Sequence, residues 1–322
     1  MKKTKIIGFY KKRWIFFVIS LTIMVAGILA VIVKGVQLDI QFKGGALLKY
    51  SFEGDLDSEA VADKASSLLG RPVTTQETSD ITTGEKRLVI NIAGNYGVEA
   101  SEQDKFDQEL RDTYPDNKLD LAESSMVEPF FGKKFLRNAI IAILLSFLLV
   151  MVYVWIRFKN IGGLSAGVMA LIALLHDVLV VFFVCVFFEI PIGDSFVAVA
   201  LSIIGYSIND TIVIYDRIRE NSKTMRKIPV ETITDLSISQ SMMRSINTNI
   251  AVTLSVSMVY ILAFSHNISS IQSFALPMAI GSISGCYSTI CIAGPLWVSW
   301  QKHKEKKKTN KSNKAKTVPA KA

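Results

Sequence analysis

The chain alternates between long uncharged apolar runs and segments rich in charge. A helix needs about 20 mostly apolar residues to cross the roughly 30 Å hydrocarbon core of a bilayer. Six runs meet this requirement, and they cover 14–33, 136–156, 162–188, 195–215, 246–265 and 271–298. The pattern therefore predicts an α-helical polytopic membrane protein with six transmembrane helices.

Residues 34–134, between the first two runs, show the shorter patterns of a folded α+β domain. Leu38, Ile40 and Phe42 alternate with polar residues, which predicts a first strand. The further predicted elements are a helix at 58–69 capped by Ser58, strands near 72–79 and 86–93, a helix starting near Ser101, whose spacing to Asp104 resembles a capping box, and a strand near 118–127. The resulting order, β-α-β-β-α-β, is that of a ferredoxin-like fold.

The basic residues predict which side of the membrane each loop occupies. Residues 1–13 contain six Lys and Arg, an amphipathic connection at 216–245 contains another six, and the tail 299–322 contains nine Lys and one acid. The loop 34–134 instead contains 12 basic and 19 acidic residues. The positive-inside rule therefore places both termini in the cytoplasm and the α+β domain outside. The net charge of +8 then reflects topology and contact with membrane lipids, not nucleic-acid binding.

The composition fits this division. Half of the residues are hydrophobic, 20% are charged and the mean hydropathy is +0.36. These averages combine apolar spans with a charged domain. The uneven distribution of charge along the chain excludes a uniformly soluble protein and a disordered protein. Cys185, Cys286 and Cys291 all lie in spans, so we interpret them as packing residues and expect no metal and no cofactor.

A few ionisable and amide groups interrupt the apolar runs. They are His176 and Asp177 in the third span, Asn209 and Asp210 in the fourth, and Arg244 and Thr248 at the start of the fifth. Charged groups at this depth are costly and usually mark a pathway, a relay or a pair. Asp210 is the strongest candidate for an ion site, with Arg244 as its electrostatic partner. For Asp177 and His176, a structural role and a relay role both stay open.

Helical spacing arranges these groups into faces. One stripe of the fourth span comprises Ser202, Gly205, Tyr206, Asn209, Val213 and Asp216, and Asp210 flanks it. The sixth span carries Gly281 and Gly285, which permit close helix packing, as Gly205 does in the fourth. A polar stripe of this kind, facing other helices, would line an internal proton or ion route.

Four motifs resemble the SecF family, the smaller membrane subunits of the bacterial SecD–SecF protein export complex, within the resistance-nodulation-division superfamily. The motifs are the segment after the first span with Asp39, Phe42, Gly44 and Gly45, the segment 175–178 around His176 and Asp177, the segment 205–221 around Asp210, and the segment 244–248. Their order and spacing make a chance match unlikely. The resemblance covers roughly residues 9–300.

This resemblance implies a function. A SecF subunit pairs with SecD, associates with the SecYEG channel in the bacterial cytoplasmic membrane, and draws an unfolded preprotein outward after the SecA motor has inserted it. YajC is a further implied partner. The energy source is the proton or sodium gradient, so the coupling ion takes the place of a cofactor. Asp210 and Arg244 are the implied ion-pathway residues, with Asp177 nearby.

Two other classes compete with this interpretation. A half-transporter of the same superfamily, moving a small molecule or lipid, would use the same carboxylate. Efflux pumps of that superfamily, however, carry two large external domains in one chain of about twice as many spans, whereas this chain has one external domain of about 100 residues. An intramembrane enzyme would need a nucleophile–base pair or a metal set. The spans contain one His and no metal-binding spacing, which argues against an enzyme.

Overall fold

The architecture is that of a computed structural model, which describes residues 6–71, 73–79, 86–93, 100–127, 129–266 and 268–316. The helices are α1 Arg13–Lys34, α2 Ile40–Lys43, α3 Ser58–Leu69, α4 Ala100–Thr113, α5 Pro129–Arg157, α6 Gly163–Phe187, α7 Asp194–Thr224, α8 Val230–Ser265, α9 Ser269–Ser288 and α10 Gly294–Lys316. The strands are β1 Gly45–Phe52, β2 Val73–Ser79, β3 Lys86–Ala93 and β4 Asp120–Val127.

Six helices in the described residues are long and apolar enough to cross a membrane. Five of them are α1, α5, α6, α7 and α8. The sixth is continuous from α9 through one π-helical turn, Thr289–Ala293, into α10. The predicted set of six spans is therefore present.

The membrane helices differ in how much of their surface this single chain covers. Most of α6 is buried, because it packs against α1, α5, α7 and α9. Most of the α9–α10 span is also buried, because α9 packs against α6, α7 and α8. Almost none of α1, α5 or the membrane-crossing part of α8 is buried, and their exposed side chains are largely apolar. Exposed apolar surface of this kind suits contact with lipid or with another membrane protein.

The expected connection at 216–245 is not a separate element. Helix α7 continues to Thr224 and α8 begins at Val230, so the connection consists of two helix ends and a short turn. Arg217 and Asn221 of α7 both hydrogen bond to Gln240 of α8, at 2.6 and 3.0 Å. These bonds hold the two extensions side by side.

The α+β domain is built on a four-stranded sheet with the order β2-β3-β1-β4, and every pair of neighbours is antiparallel. Helices α3 and α4 occur in the connections β1–β2 and β3–β4, which gives the predicted order β-α-β-β-α-β. The core of the domain contains alternate strand residues such as Leu48, Leu88 and Ile90, packed with Val61 of α3 and Leu110 of α4.

The prediction of a strand at 38–43 was wrong. The first strand begins at Gly45; residues 40–43 of the alternating pattern form the one-turn helix α2, and Leu38 makes only an isolated β-bridge. The backbone carbonyl of Asp39 accepts hydrogen bonds from the amides of Phe42 and Lys43, and its carboxylate accepts one from the amide of Gln41. Local side-chain and turn bonds of this kind compete with strand pairing. Phe42 is buried against the membrane helices instead of the sheet core.

The predicted N-cap residue of the first domain helix was wrong by one position. Asp57, not Ser58, is the N-cap of α3, because Asp57 Oδ1 accepts bonds from the amides of Glu59 and Ala60 at 3.1 and 3.2 Å. The second domain helix begins at Ala100, close to the predicted start. The side chain of Ser101 lies outside the described residues, so its predicted capping box stays a prediction.

A compact joint connects the domain to the bundle. Leu38 forms a parallel β-bridge with Ile192, in the loop between α6 and α7. The amide of Asp39 donates to the carbonyl of Ile192 at 3.0 Å. Gly44 and Gly45 then take φ values of 80° and 145°, a region that favours glycine. The chain can therefore turn sharply from α2 into β1.

The cap assignment yields a first prediction. Replacing Asp57 with Ala removes both capping bonds and should weaken α3 by about 1 kcal/mol. The measurement is hydrogen exchange of the α3 amides in the full chain in detergent. Ser58→Ala is the matched control and should leave this protection nearly unchanged. A larger effect of Ser58→Ala than of Asp57→Ala would contradict the assignment.

Candidate functional site

The carboxylate of Asp177 on α6 is completely buried and is surrounded by hydroxyl donors. Its Oδ2 accepts hydrogen bonds from Ser207 Oγ of α7 at 2.7 Å and from Ser288 Oγ of α9 at 2.6 Å. Its Oδ1 accepts a third from Ser284 Oγ of α9, also at 2.7 Å. One side chain therefore joins three membrane helices. We call these four residues the Asp177 cluster.

His176 extends this cluster toward α1. Its Nδ1 lies 3.3 Å from Asp177 Oδ1, and its ring centroid lies 6.1 Å from that of Tyr287. The Tyr287 hydroxyl donates to the carbonyl of Phe16 on α1 at 2.7 Å. The Nε2 atom of His176 is buried and has no hydrogen-bond partner among the described residues. Such an unsatisfied polar atom is uncommon in a protein interior.

Two threonines support the other side of the Asp177 cluster. Thr211 Oγ1 and Thr289 Oγ1 lie 3.1 Å apart, and both donate to the backbone carbonyl of Ser207. Thr289 begins the π-helical turn between α9 and α10. Such turns often occur at functional sites, because they release backbone groups from the regular ladder.

Asp210 occupies a separate position, one helical turn after Ser207. It is half-buried and faces Arg244 and Ser245 of α8, where the charge of the guanidinium acts on the carboxylate. Within the described residues no ion pair joins the two charged groups, although the charge of Arg244 acts on the Asp210 carboxylate. The predicted electrostatic partners therefore lie near each other without direct contact.

Asp210 opens into a small cavity of about 20 Å³ between α7, α8 and α9. That volume suffices for about one water molecule. Its lining includes Asn209, Thr248 and, notably, Ser207, whose hydroxyl also binds Asp177. The structure therefore brings Asp210, Asn209 and Thr248 together and connects them to the Asp177 cluster through a single serine.

The polar stripe of the fourth span is only partly covered by this chain's own helices. Asn209, Arg244 and Thr248 are exposed, and Tyr206 is 48% exposed. Periodicity shows which residues share a face, but it does not show which neighbour that face meets. The middle of the stripe therefore lies at the rim of the cavity and partly on an outer surface of this chain, with Asp210 beside it.

The three predicted packing glycines differ in their surroundings. A Cβ added to Gly281 would lie 2.6 Å from Val181, and one added to Gly285 would lie 3.3 Å from Ser207. Both glycines therefore allow α9 to approach its neighbours closely. Gly205 is exposed, and an added Cβ would meet no described atom within 4 Å, so Gly205 makes no close helix contact within the chain.

The motif after the first span lies at the joint and away from these membrane groups. Burial raises the pKa of Asp39, and the nearby charge of Asp194 raises it further, while the bond from the Gln41 amide opposes both effects. Gly44 approaches α5 so closely that a Cβ on Gly132 would lie 2.8 Å from its amide nitrogen. These residues shape the connection to the domain.

Several members of the Asp177 cluster were missed by sequence reasoning. Ser284 and Ser288 lie four residues apart on one face of α9, a spacing that the sequence displays, but spacing alone does not show which helix a hydroxyl will meet. Among the described residues, no group of three or more His, Cys, Asp or Glu side chains is placed to hold a metal.

The hydrogen bonds of the cluster yield a second prediction. Ser288→Ala leaves a buried carboxylate oxygen without one donor, which should cost about 1–3 kcal/mol of unfolding free energy. Ser255→Ala is the matched control, because this exposed hydroxyl bonds only to the carbonyl of Ala251 on its own helix. Unfolding in detergent measures both variants. Equal stability of the two would contradict a structural role for the cluster.

Comparison with known proteins adds independent evidence. Residues 105–303 match the family described as protein export membrane protein SecD/SecF, C-terminal. Protein translocase subunit SecF of Alicyclobacillus acidocaldarius is 32% identical over 95% of this chain and 96% of its own length. Protein translocase subunit SecDF of Bacillus subtilis is 34% identical over 93% of this chain and 39% of its own length.

Solved structures give the same result. The crystal structure of SecDF, a translocon-associated membrane protein from Thermus thermophilus, matches 92% of this chain with a TM-score of 0.76 and 25% identity. A crystal structure of SecDF in a super-membrane-facing form matches 95% with a TM-score of 0.68. The chain spans about two-fifths of each of those longer chains. It belongs to the SecD/SecF family of protein export membrane proteins.

Proposed function

We propose that this chain is the SecF half of an ion-driven machine that completes protein export. Together with SecD it would use the proton or sodium gradient to draw a preprotein out of the SecYEG channel after insertion by SecA. The observation that carries this proposal is the position of Asp210 and Arg244. Asp210 lies within an apolar helix and lines a water-sized cavity, and the exposed Arg244 lies nearby on a face that this chain leaves uncovered.

The uncovered polar face is evidence that a partner contributes a second set of membrane helices. Polar and charged side chains are rarely exposed to lipid and usually face other protein or a water-filled cavity. In the Bacillus subtilis SecDF relative, this chain corresponds to only 39% of the length. The rest of that protein's length is evidence that this chain has a SecD-type partner. Such a partner would cover Asn209, Arg244 and Thr248 and enclose the ion site.

A physical connection between the ion site and the domain supports the coupling. Asp210 lies in α7, and α7 begins at Asp194, directly after the loop whose Ile192 is bonded to Leu38 and Asp39 at the joint. A tilt or shift of α7 would therefore move the joint and the domain beyond it. One elementary charge that crosses the membrane supplies about 2.3 kcal/mol per 100 mV, so many cycles are needed to move a long polypeptide.

The remaining parts of the proposal concern topology and location. The basic clusters support cytoplasmic termini in the bacterial cytoplasmic membrane and an external α+β domain. The strand order β2-β3-β1-β4, antiparallel throughout, supports the ferredoxin-like topology for that domain. The His176–Asp177 pair is proposed as part of the ion pathway because Ser207 connects it to the Asp210 cavity. YajC is proposed as an additional partner.

The third prediction tests the ion site. Asp210→Asn preserves the size of the side chain but removes its ability to bind and release a proton. It should abolish the gradient-dependent part of preprotein export while assembly with SecD stays intact. Export into membrane vesicles, with and without an ionophore, measures this component.

Asp216→Asn is the matched control on the same helix. Asp216 forms ion pairs with Arg157 and Arg219 near the end of α7, at 3.1 and 2.7 Å. Its replacement should leave the gradient-dependent component in place. Normal gradient-dependent export by Asp210→Asn would overturn the assignment of Asp210.

A further inference from the structure

A large cleft separates the sheet of the α+β domain from the end of the helical bundle. Its volume is about 740 Å³. One wall is formed by β1, β2 and β3, and the other by the loop between α6 and α7 together with residues of α8 and α9. The cleft lies at the joint. Nothing in the ion-site mechanism uses it.

The sheet wall is the face that the domain helices leave open. Strand side chains alternate between faces, and Leu48 and Ile90 are buried in the core with α3 and α4. The opposite face presents a cross-strand row of Gln76, Val89 and Lys49 to the cleft. Strands of seven to eight residues correspond to about 25 Å of extended chain.

The bundle wall has a complementary character. It contributes the aromatic and apolar side chains of Phe188, Tyr260 and Leu276, together with the carboxylates of Asp39 and Asp194. Phe188 is 51% exposed although it lies at the base of the domain. The cleft thus combines a polar, partly basic wall with a wall that is apolar and acidic.

We propose that this cleft binds an extended, unfolded segment of the exported polypeptide. The inference rests on the proposed function, because it assigns a binding site to that function's substrate. A mixed lining of amides, both charges, aliphatic groups and rings suits a polymer of variable sequence, whereas a single small ligand is held by a few convergent polar groups. An extended segment of seven to eight residues also matches the length of the strands in the sheet wall.

The edge of the sheet supports the same occupant. β2 is an edge strand that pairs with β3 on one side, and its Gln76 and Thr78 line the cleft. Extended peptides often bind by adding to such an edge, where backbone hydrogen bonds give affinity independent of sequence. A membrane lipid fits less well, because a polar sheet face would meet its acyl chains.

The test uses two adjacent residues of one strand. A photo-crosslinking amino acid replaces Gln76 in one variant and Glu77 in the other, within the full complex, while a translocating polypeptide is arrested in the channel. Both side chains are exposed, but Gln76 faces the cleft and Glu77 the opposite face. We expect several-fold more crosslinking to the arrested polypeptide from the position of Gln76.

Each other outcome overturns the proposal. Equal crosslinking from both positions would indicate simple proximity, and no crosslink to the polypeptide would exclude binding in the cleft. Crosslinking from Gln76 to a membrane subunit alone would assign the cleft to an interface. The result is independent of the Asp210 test, because an Asp210→Asn complex that exports normally would refute ion coupling without changing which surface contacts the polypeptide.

Discussion

Three membrane helices of this protein meet at the buried carboxylate of Asp177. Ser207, Ser284 and Ser288 donate hydrogen bonds to it. Burying a carboxylate here without such donors would strongly destabilise the fold. The bonds fix the relative positions of α6, α7 and α9. They consequently fix the α7 and α9 walls of the cavity beside Asp210, which lies one turn after Ser207.

This arrangement gives two parts of the proposed ion pathway different surroundings. The Asp177 cluster is enclosed and fully hydrogen bonded, whereas Asp210 is half-buried, beside a water-sized cavity and close to a cation that it does not touch. A group of the second kind can change its partner through a small movement. A movement of α7 would also act on the hydrogen bond from Ser207 to Asp177, and the bridge between Ile192 and Leu38 would carry that movement to the domain.

The sequence was informative where a single physical rule dominates. Apolar run length predicted six spans, and charge at membrane depth selected Asp177, Asp210 and Arg244. It failed where two local interactions compete: the alternation at 38–43 suggested a strand, but the hydrogen bonds of Asp39 form a helical turn. It also missed Ser284, because periodicity does not show which helix a hydroxyl will meet. The outward direction of Asn209 was unpredictable for the same reason.

The central claim is that the exposed polar face around Asp210 is covered by a partner's membrane helices. A spin label at Thr248, in a chain whose three native cysteines are replaced, reports this directly through its accessibility to oxygen dissolved in the lipid. Leu254 is the control, an apolar residue of the same helix that is 66% exposed. Adding a SecD-type subunit should lower the oxygen accessibility of the label at Thr248 and leave that of a label at Leu254 unchanged. Equal, undiminished accessibility at both positions in the assembled complex would contradict the central claim.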